Sequence, residues 1–155
     1  MEFSVDSEIG KLRQVILHRP GNEMLRLTPQ NKDHLLFDDV LWLERAQEEH
    51  DQFARVLTDR DIEVLYLSDL LAQTLEVPEA RQYVLDQVVN ENTNGPSAAE
   101  PLRALAQGLS GAELAEVLVA GITKAELLER TPCPDSLVLA SMGDDDLLLP
   151  PLPNH

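Results

Sequence analysis

Cysteine is nearly absent from this chain. Cys133 is the single one in 155 residues, so no disulfide can form within the chain, and no CxxC metal pair exists. Basic residues are also scarce, 12 against 28 acidic ones, leaving a net charge of −16. A surface of that sign repels phosphate backbones and anionic lipid heads, so neither nucleic acid nor membrane is expected as a partner. Long apolar runs are missing too. Stretches such as Val117-Leu118-Val119-Ala120 are far too short to cross a bilayer. The start, Met1-Glu2-Phe3-Ser4-Val5, lacks a basic region followed by an apolar one, so no secretory signal is read and a cytoplasmic protein is expected. Walker, GxGxxG and GxSxG patterns do not occur. What remains, 43% hydrophobic and 26% charged residues, is the composition of a globular protein.

The chain opens with an α/β pattern. Lys11 to His18 gathers β-branched and aliphatic residues ahead of Pro20-Gly21 and reads as a strand. A polar loop follows from Asn22 to about His34. Asp39 to Arg60 carries apolar side chains at Leu43, Ala46, Phe53, Ala54 and Leu57, three or four residues apart. Glu44, Arg45, Glu48, Glu49 and Asp51 fill the outer face, which predicts a helix, with Asp38 or Asp39 able to cap it. Ile62 to Leu67 alternates as a second strand.

From residue 69 to about 130 the pattern is helical, with no convincing strand. Helices are expected from Leu70 and from Pro78 to about Asn92, with Asn92 to Ser97 as a loop. Ser110-Gly111-Ala112-Glu113 and Thr123-Lys124-Ala125-Glu126 both fit the capping box, and Gly121 sits where a helix would end. Residues 131–146 read as a link with a short strand at Leu137-Val138-Leu139. Leu147-Leu148-Leu149 begins a buried strand.

Candidate chemistry is sparse. Cys133 lies between two prolines without a cationic neighbour to lower its pKa, and reads as incidental. His18, His34, His50 and His155 show no metal-ligand spacing; His50 reads as structural and His18, at the end of a strand beside Arg19, as a surface or loop residue. Asp144-Asp145-Asp146 reads as a solvated turn rather than a cation site. Asp38-Asp39 reads as a helix cap rather than a catalytic carboxylate pair. No metal and no cofactor are expected.

Several stretches carry a more specific signal. They are Ser7-Glu8-Ile9-Gly10-Lys11-Leu12-Arg13, His18-Arg19-Pro20-Gly21, Arg26-Leu27-Thr28-Pro29, and Asp33 to Trp42 running on into Ala46-Gln47-Glu48-Glu49-His50. Later come Ala120-Gly121-Ile122-Thr123 with Glu126-Leu127, and Pro151-Leu152-Pro153-Asn154. In this order they resemble the bacterial arginine deiminases. The resemblance implies an α/β class chain with a pentein, or α/β-propeller, fold, in which ββαβ-type modules surround a central pocket. It divides the chain into a first propeller module (1–68), a helical insert (69–130), and a link with the start of the next module (131–155).

The implied chemistry is hydrolysis of L-arginine to L-citrulline and ammonia, by cysteine attack on a guanidinium gripped by carboxylates. Two positions carry over as substrate contacts. Asn154 matches an asparagine at the substrate's amino-acid end, and Leu36 matches a backbone contact in a loop over the pocket. Purely structural roles are the alternatives, a turn residue for Asn154 and a buried anchor for Leu36. The family's FTRD-like acidic stretch, its catalytic histidine, its second acid and its nucleophilic cysteine find no match here. The expectation is therefore an amino-terminal part of such an enzyme, without catalytic residues and inactive alone. The complete enzyme is expected to be a homo-oligomer acting on L-arginine. The alternative is a non-catalytic binding or assembly module that needs a partner chain.

Overall fold

The computed structural model describes residue 5 and residues 7–28, 40–132 and 136–151. Over these the chain is mixed α/β, mostly helical, with two small sheets.

Strand β1 (Gln14–Leu17) pairs in parallel with β2 (Glu63–Tyr66), placing Val15 beside Val64 and Leu17 beside Tyr66. A parallel pair needs a crossover, and helix α1 (Leu43–Thr58) lies between them in sequence. The ring of His50 on α1 sits 6.0 Å from that of Tyr66, tilted by 44°. This fixes which sheet face α1 covers, because residues two apart along a strand share a face. Val15, Leu17, Val64 and Tyr66 look toward α1. Gln14, Ile16, Glu63 and Leu65 look away, and Gln14 Nε2 donates to Glu63 Oε2 at 2.7 Å across that second face.

The expected strand-helix-strand unit is present, with shorter boundaries. Helix α1 starts at Leu43 rather than Asp39. Its N-cap residue is Trp42, with no side-chain cap, and the proposed caps Asp38 and Asp39 lie outside the described residues. Phe53, read as part of the buried stripe, is exposed, whereas Ala54 is buried. The segment after Pro20 is not a plain loop. Asn22–Arg26 forms a 3-10 helix with Glu23 buried.

The helical part is built from α2 (Leu67–Leu75), α3 (Pro78–Val88), α4 (Glu91–Asn94), α5 (Pro96–Gly108), α6 (Gly111–Ala120) and α7 (Lys124–Arg130). Its core includes Leu75, Leu85, Leu102, Leu114, Leu118, Ile122 and Leu127. Burial of this apolar surface is the main driving force for the assembly. Both predicted capping boxes form: Ser110 and Thr123 each accept from the amide three residues on, and Glu113 and Glu126 each bond back. Gly121 ends α6 with φ 74°.

Three expectations are corrected. Asn92 to Ser97 is not a loop. Asn90 Oδ1 accepts from Asn92 N and Thr93 N at 3.1 Å each, starting α4, and α5 begins at Pro96 after a break at Gly95, where φ is 76°. Proline at a first helical turn loses no hydrogen bond, which explains why the Gly-Pro pair starts a helix here. Leu137-Val138-Leu139 is not a strand but opens α8 (Leu137–Ser141), because the Ser136 hydroxyl accepts from Val138 N and Leu139 N, turning the chain. The helical part also holds a strand after all, β3 (Ile122–Thr123). Local pattern could not reveal it, because its partner is distant: it pairs antiparallel with β4 (Leu147–Leu149). The predicted apolar strand at Leu147–Leu149 is thus present, and Leu148 and Leu149 join the helical core.

Candidate functional site

Polar side chains converge where the β1–β2 unit meets the helical part. Two clefts open there. One, of about 690 Å³, is lined by Asn22, Arg26, Glu113, Glu116, Glu126 and Arg130 among others. The other, of about 400 Å³, is lined by His18, Arg19, Glu23, Ser68, Asp69 and Glu116 among others.

The chain leaves β1 through His18-Arg19-Pro20-Gly21, and each polar residue of this turn is anchored. His18 Nε2 pairs with Glu23 Oε1 at 2.9 Å, and the Gly21 amide donates to the same oxygen at 2.7 Å. Glu23 is only 3% exposed, and a buried carboxylate persists when it is paired and hydrogen-bonded in this way. Arg19 grips Asp51 of α1 through two bonds, 2.8 and 3.0 Å. That hydrogen bond holds the Asp51 carboxyl below its usual range. Gln47 Nε2 donates to the Pro20 carbonyl at 2.8 Å. These contacts tie the turn to α1.

Arg26 ties the same segment to the helical part. Its Nη1 and Nη2 donate to Glu126 Oε1 and Oε2, both at 2.8 Å, while Nε and Nη2 reach the carbonyls of Ala120 and Gly121 at 3.1 and 3.2 Å. The fork of the guanidinium matches a carboxylate and the open carbonyl end of α6 at once. Glu126 serves twice, since its Oε2 also accepts from the Thr123 amide at 3.0 Å in the capping box. The Arg26 hydrogen bond is the main reason its pKa lies below the ordinary 4.5.

This depression has a testable consequence. Folded Glu126 takes up a proton less readily than an unfolded glutamate, so acid favours the unfolded chain. Its stabilisation is complete above the unfolded value and lost as pH falls through the depressed folded value. The side chain is 36% exposed, so solvent screening limits the effect of Glu126→Gln to about 1–2 kcal/mol at pH 7. The stability difference between wild type and Glu126→Gln, read from urea midpoints, should shrink toward zero as pH is lowered through and below the ordinary glutamate value of 4.5. Relief of the net negative charge in acid affects both proteins and cancels in the difference. A gap that stays constant with pH would show that the ion pair is not its source.

The residues singled out from sequence fare unevenly. His18 is not a plain surface residue but half of the buried Glu23 pair, and its Nδ1 is buried without a hydrogen bond. The His50 ring lies against that of Tyr66, and its Nδ1 too is buried without a hydrogen bond. Asp144, Asp145 and Asp146 do form a turn, and it is tied down: the carbonyls of Asp146 and Asp144 accept from Lys124 N at 2.9 Å and Ala125 N at 3.0 Å, and Lys124 Nζ lies 3.2 Å from Asp144 Oδ1. Leu36, Asn154, Cys133, His34 and His155 lie outside the described residues. Neither the buried Glu23 nor the Arg26–Glu126 link is legible in the sequence pattern. The capping-box glutamate hinted at the second, but nothing in the spacing pointed to Arg26 as its partner. Among the described residues no three His, Cys, Asp or Glu side chains gather to hold a metal, and no helix is long and apolar enough to cross a membrane.

The geometry defines a class: a mixed α/β scaffold whose polar residues brace one unit against another. The described residues that meet here are joined by the His18–Glu23, Arg19–Asp51 and Arg26–Glu126 pairs. Comparison with known proteins carries this further. A family model described as arginine deiminase matches residues 33–155. An arginine deiminase of Mycobacterium avium (strain 104) is 48% identical over 155 residues, which are 99% of this chain and 39% of that protein. One of Mycobacterium marinum (strain ATCC BAA-535 / M) is 46% identical over 153 residues, covering 99% of this chain and 38% of the relative. The chain belongs to the arginine deiminase family, and it spans about two fifths of the length of these relatives, on their amino-terminal side.

Proposed function

We propose that this chain supplies the amino-terminal part of an arginine-hydrolysing unit, one that converts L-arginine to L-citrulline and ammonia. The observation that carries this reading is near-half identity, over 99% of the chain, to a protein named arginine deiminase. In this proposal residues 1–68 form the first module of a pentein propeller, residues 69–130 a helical insert, and residues 131–155 a link into the next module. The parallel β1–β2 pair with its α1 crossover, followed by the α2–α7 helices, suits that plan.

The role of the chain is positioning. Arg19–Asp51 and Arg26–Glu126 fix the two described ends of the segment that precedes residues 29–39, where Leu36 is proposed to contribute a backbone contact to arginine. Asn154 is proposed to hold the amino-acid end of the substrate. The attacking thiolate, the proton-transferring histidine and the guanidinium-gripping acids are assigned to sequence that the relatives carry beyond this match. No cofactor enters the scheme. The whole unit is proposed to be a cytoplasmic homo-oligomer.

An arginine-to-citrulline assay tests the reading. The 155 residues assayed by themselves should give no citrulline. Joined to the remaining length of the Mycobacterium avium relative, in place of that protein's own matching segment, they should support turnover. A non-catalytic assembly module, the reading that the exposed Ile16 of β1 would also suit, would leave the joined protein inactive.

A further inference from the structure

Residues 29–39, the stretch with the proposed Leu36 contact, are flanked by two supports that belong to different units. On the amino-terminal side stands the 3-10 helix Asn22–Arg26, fastened to the helical part at both ends. Asn22 Nδ2 donates to Glu116 Oε1 of α6 at 2.6 Å. Arg26 grips the corner where α6 gives way to α7, through Glu126 and the Ala120 and Gly121 carbonyls. Leu27, the next residue, is buried. On the carboxyl-terminal side stands α1, fastened instead to the turn after β1 by the Arg19–Asp51 and Gln47–Pro20 bonds. The chain thus enters 29–39 from the helical part and leaves it on the strand unit.

The Arg26 fork is suited to fixing position. An arginine side chain that is 19% exposed meets a carboxylate through two parallel bonds, a geometry that sets distance and angle together. Glu126 is held from its other side as well, because its Oε2 accepts from the Thr123 amide. A glutamine at 126 can still accept from that amide, but it lacks the charge and one of the two acceptor oxygens. The brace can therefore be removed while the start of α7 stays capped.

We propose that Arg26 and Glu126 are positioning residues for the reaction: the helical part sets the affinity for L-arginine by holding the entry to residues 29–39. The inference rests on the proposed function and adds what the helical part does for it. Releasing the brace lowers the fraction of molecules with that stretch in place, and apparent affinity falls by the same fraction. A contact made equally to substrate and transition state raises KM when it is lost and leaves kcat alone.

Steady-state citrulline formation tests this in the protein joined to the remaining length of the Mycobacterium avium relative. Glu126→Gln and Arg26→Lys should each raise KM for L-arginine at least about fivefold, with kcat within about twofold of wild type. The double variant should be no worse than the worse single one, since both remove the same link. Glu113→Gln is the control. It alters the other capping box, whose carboxylate accepts from Ser110 and lies outside the Arg26 fork, and it should leave KM unchanged. An unchanged KM in both single variants overturns the proposal, even if their urea midpoints fall, because the brace is then purely structural. An equal rise in Glu113→Gln also overturns it, because any loss of stability would then move KM. If Glu126→Gln fails to fold, Arg26→Lys, which keeps the positive charge, carries the same comparison. A joined protein that makes no citrulline before any substitution overturns the proposed function and this inference with it. Turnover with an unmoved KM overturns the inference alone.

Discussion

Gly121→Ala is expected to lower the stability of the chain by about 2–6 kcal/mol, from about 1–3 for the backbone and about 1–3 for overpacking. Gly121 has φ 74° and ψ 178° at the end of α6, a region that residues with a Cβ avoid. There is also no room. A Cβ built there would lie 2.5 Å from the Leu149 carbonyl oxygen, 2.9 Å from Pro151 N and 3.0 Å from the Pro150 carbonyl carbon. All three are backbone atoms and cannot rotate aside. Relief would push β4 off β3 and disturb the carbonyl that Arg26 holds. The measurement is urea unfolding, where the midpoint should fall by about 2 M at unchanged slope. Gly95→Ala is the matching control. Its φ is 76°, yet nothing lies within 4 Å of the added carbon, so it should cost only the backbone part, about 1–3 kcal/mol. Equal effects at the two glycines would refute the steric argument.

Gly111→Ala should also destabilise, although helix propensity alone predicts the reverse. Gly111 is the first residue of α6 with no positive φ, and alanine is favoured over glycine in helices by up to about 1 kcal/mol. Packing opposes this. An added Cβ would run into the Ala72 carbonyl oxygen of α2 and come within 2.5 Å of Glu76 Oε1, the atom that accepts from the Gly111 amide at 2.6 Å. Helices α2 and α6 approach closely here, and parting them disturbs Leu75 and Leu114, both fully buried. Overpacking of this kind costs about 1–3 kcal/mol and the lost amide bond adds about 1. The net expectation, after the helix preference of alanine is subtracted, is a loss of about 1–3 kcal/mol, or a thermal midpoint about 3–9 °C lower. A midpoint that is unchanged or higher would show that α2 and α6 can part cheaply.

Features specified by neighbouring residues were legible in the sequence. The two capping boxes, the glycine end of α6 and the periodic α1 follow from contacts within a few residues. The errors fell where a distant partner or a single hydroxyl decided the outcome. Ile122–Thr123 is a strand only because Leu147–Leu149 comes beside it. Leu137–Leu139 has strand-like residues, yet the Ser136 cap turns it into a helix. Phe53 fits the apolar period of α1 but lies to one side of the stripe that Ala54 buries.

The candidate site follows the same division. Its family was legible from local motifs such as His18-Arg19-Pro20-Gly21, because relatives share them as short words. Its bracing was not. The Arg26–Glu126 fork joins residues 100 positions apart, and no periodicity marks such a pair. Glu23 falls within the polar stretch after Pro20-Gly21, and only the fold brings the His18 ring and the Gly21 amide onto it.

The central claim is that these residues position a substrate whose chemistry is done by sequence beyond the match. Citrulline formation from L-arginine measures it most directly, in the 155-residue chain and in the same residues joined to the remaining length of the Mycobacterium avium relative. No citrulline from the first and sustained turnover by the second is the result expected. Turnover by the 155 residues alone, or a folded joined protein that leaves arginine untouched, would contradict the claim.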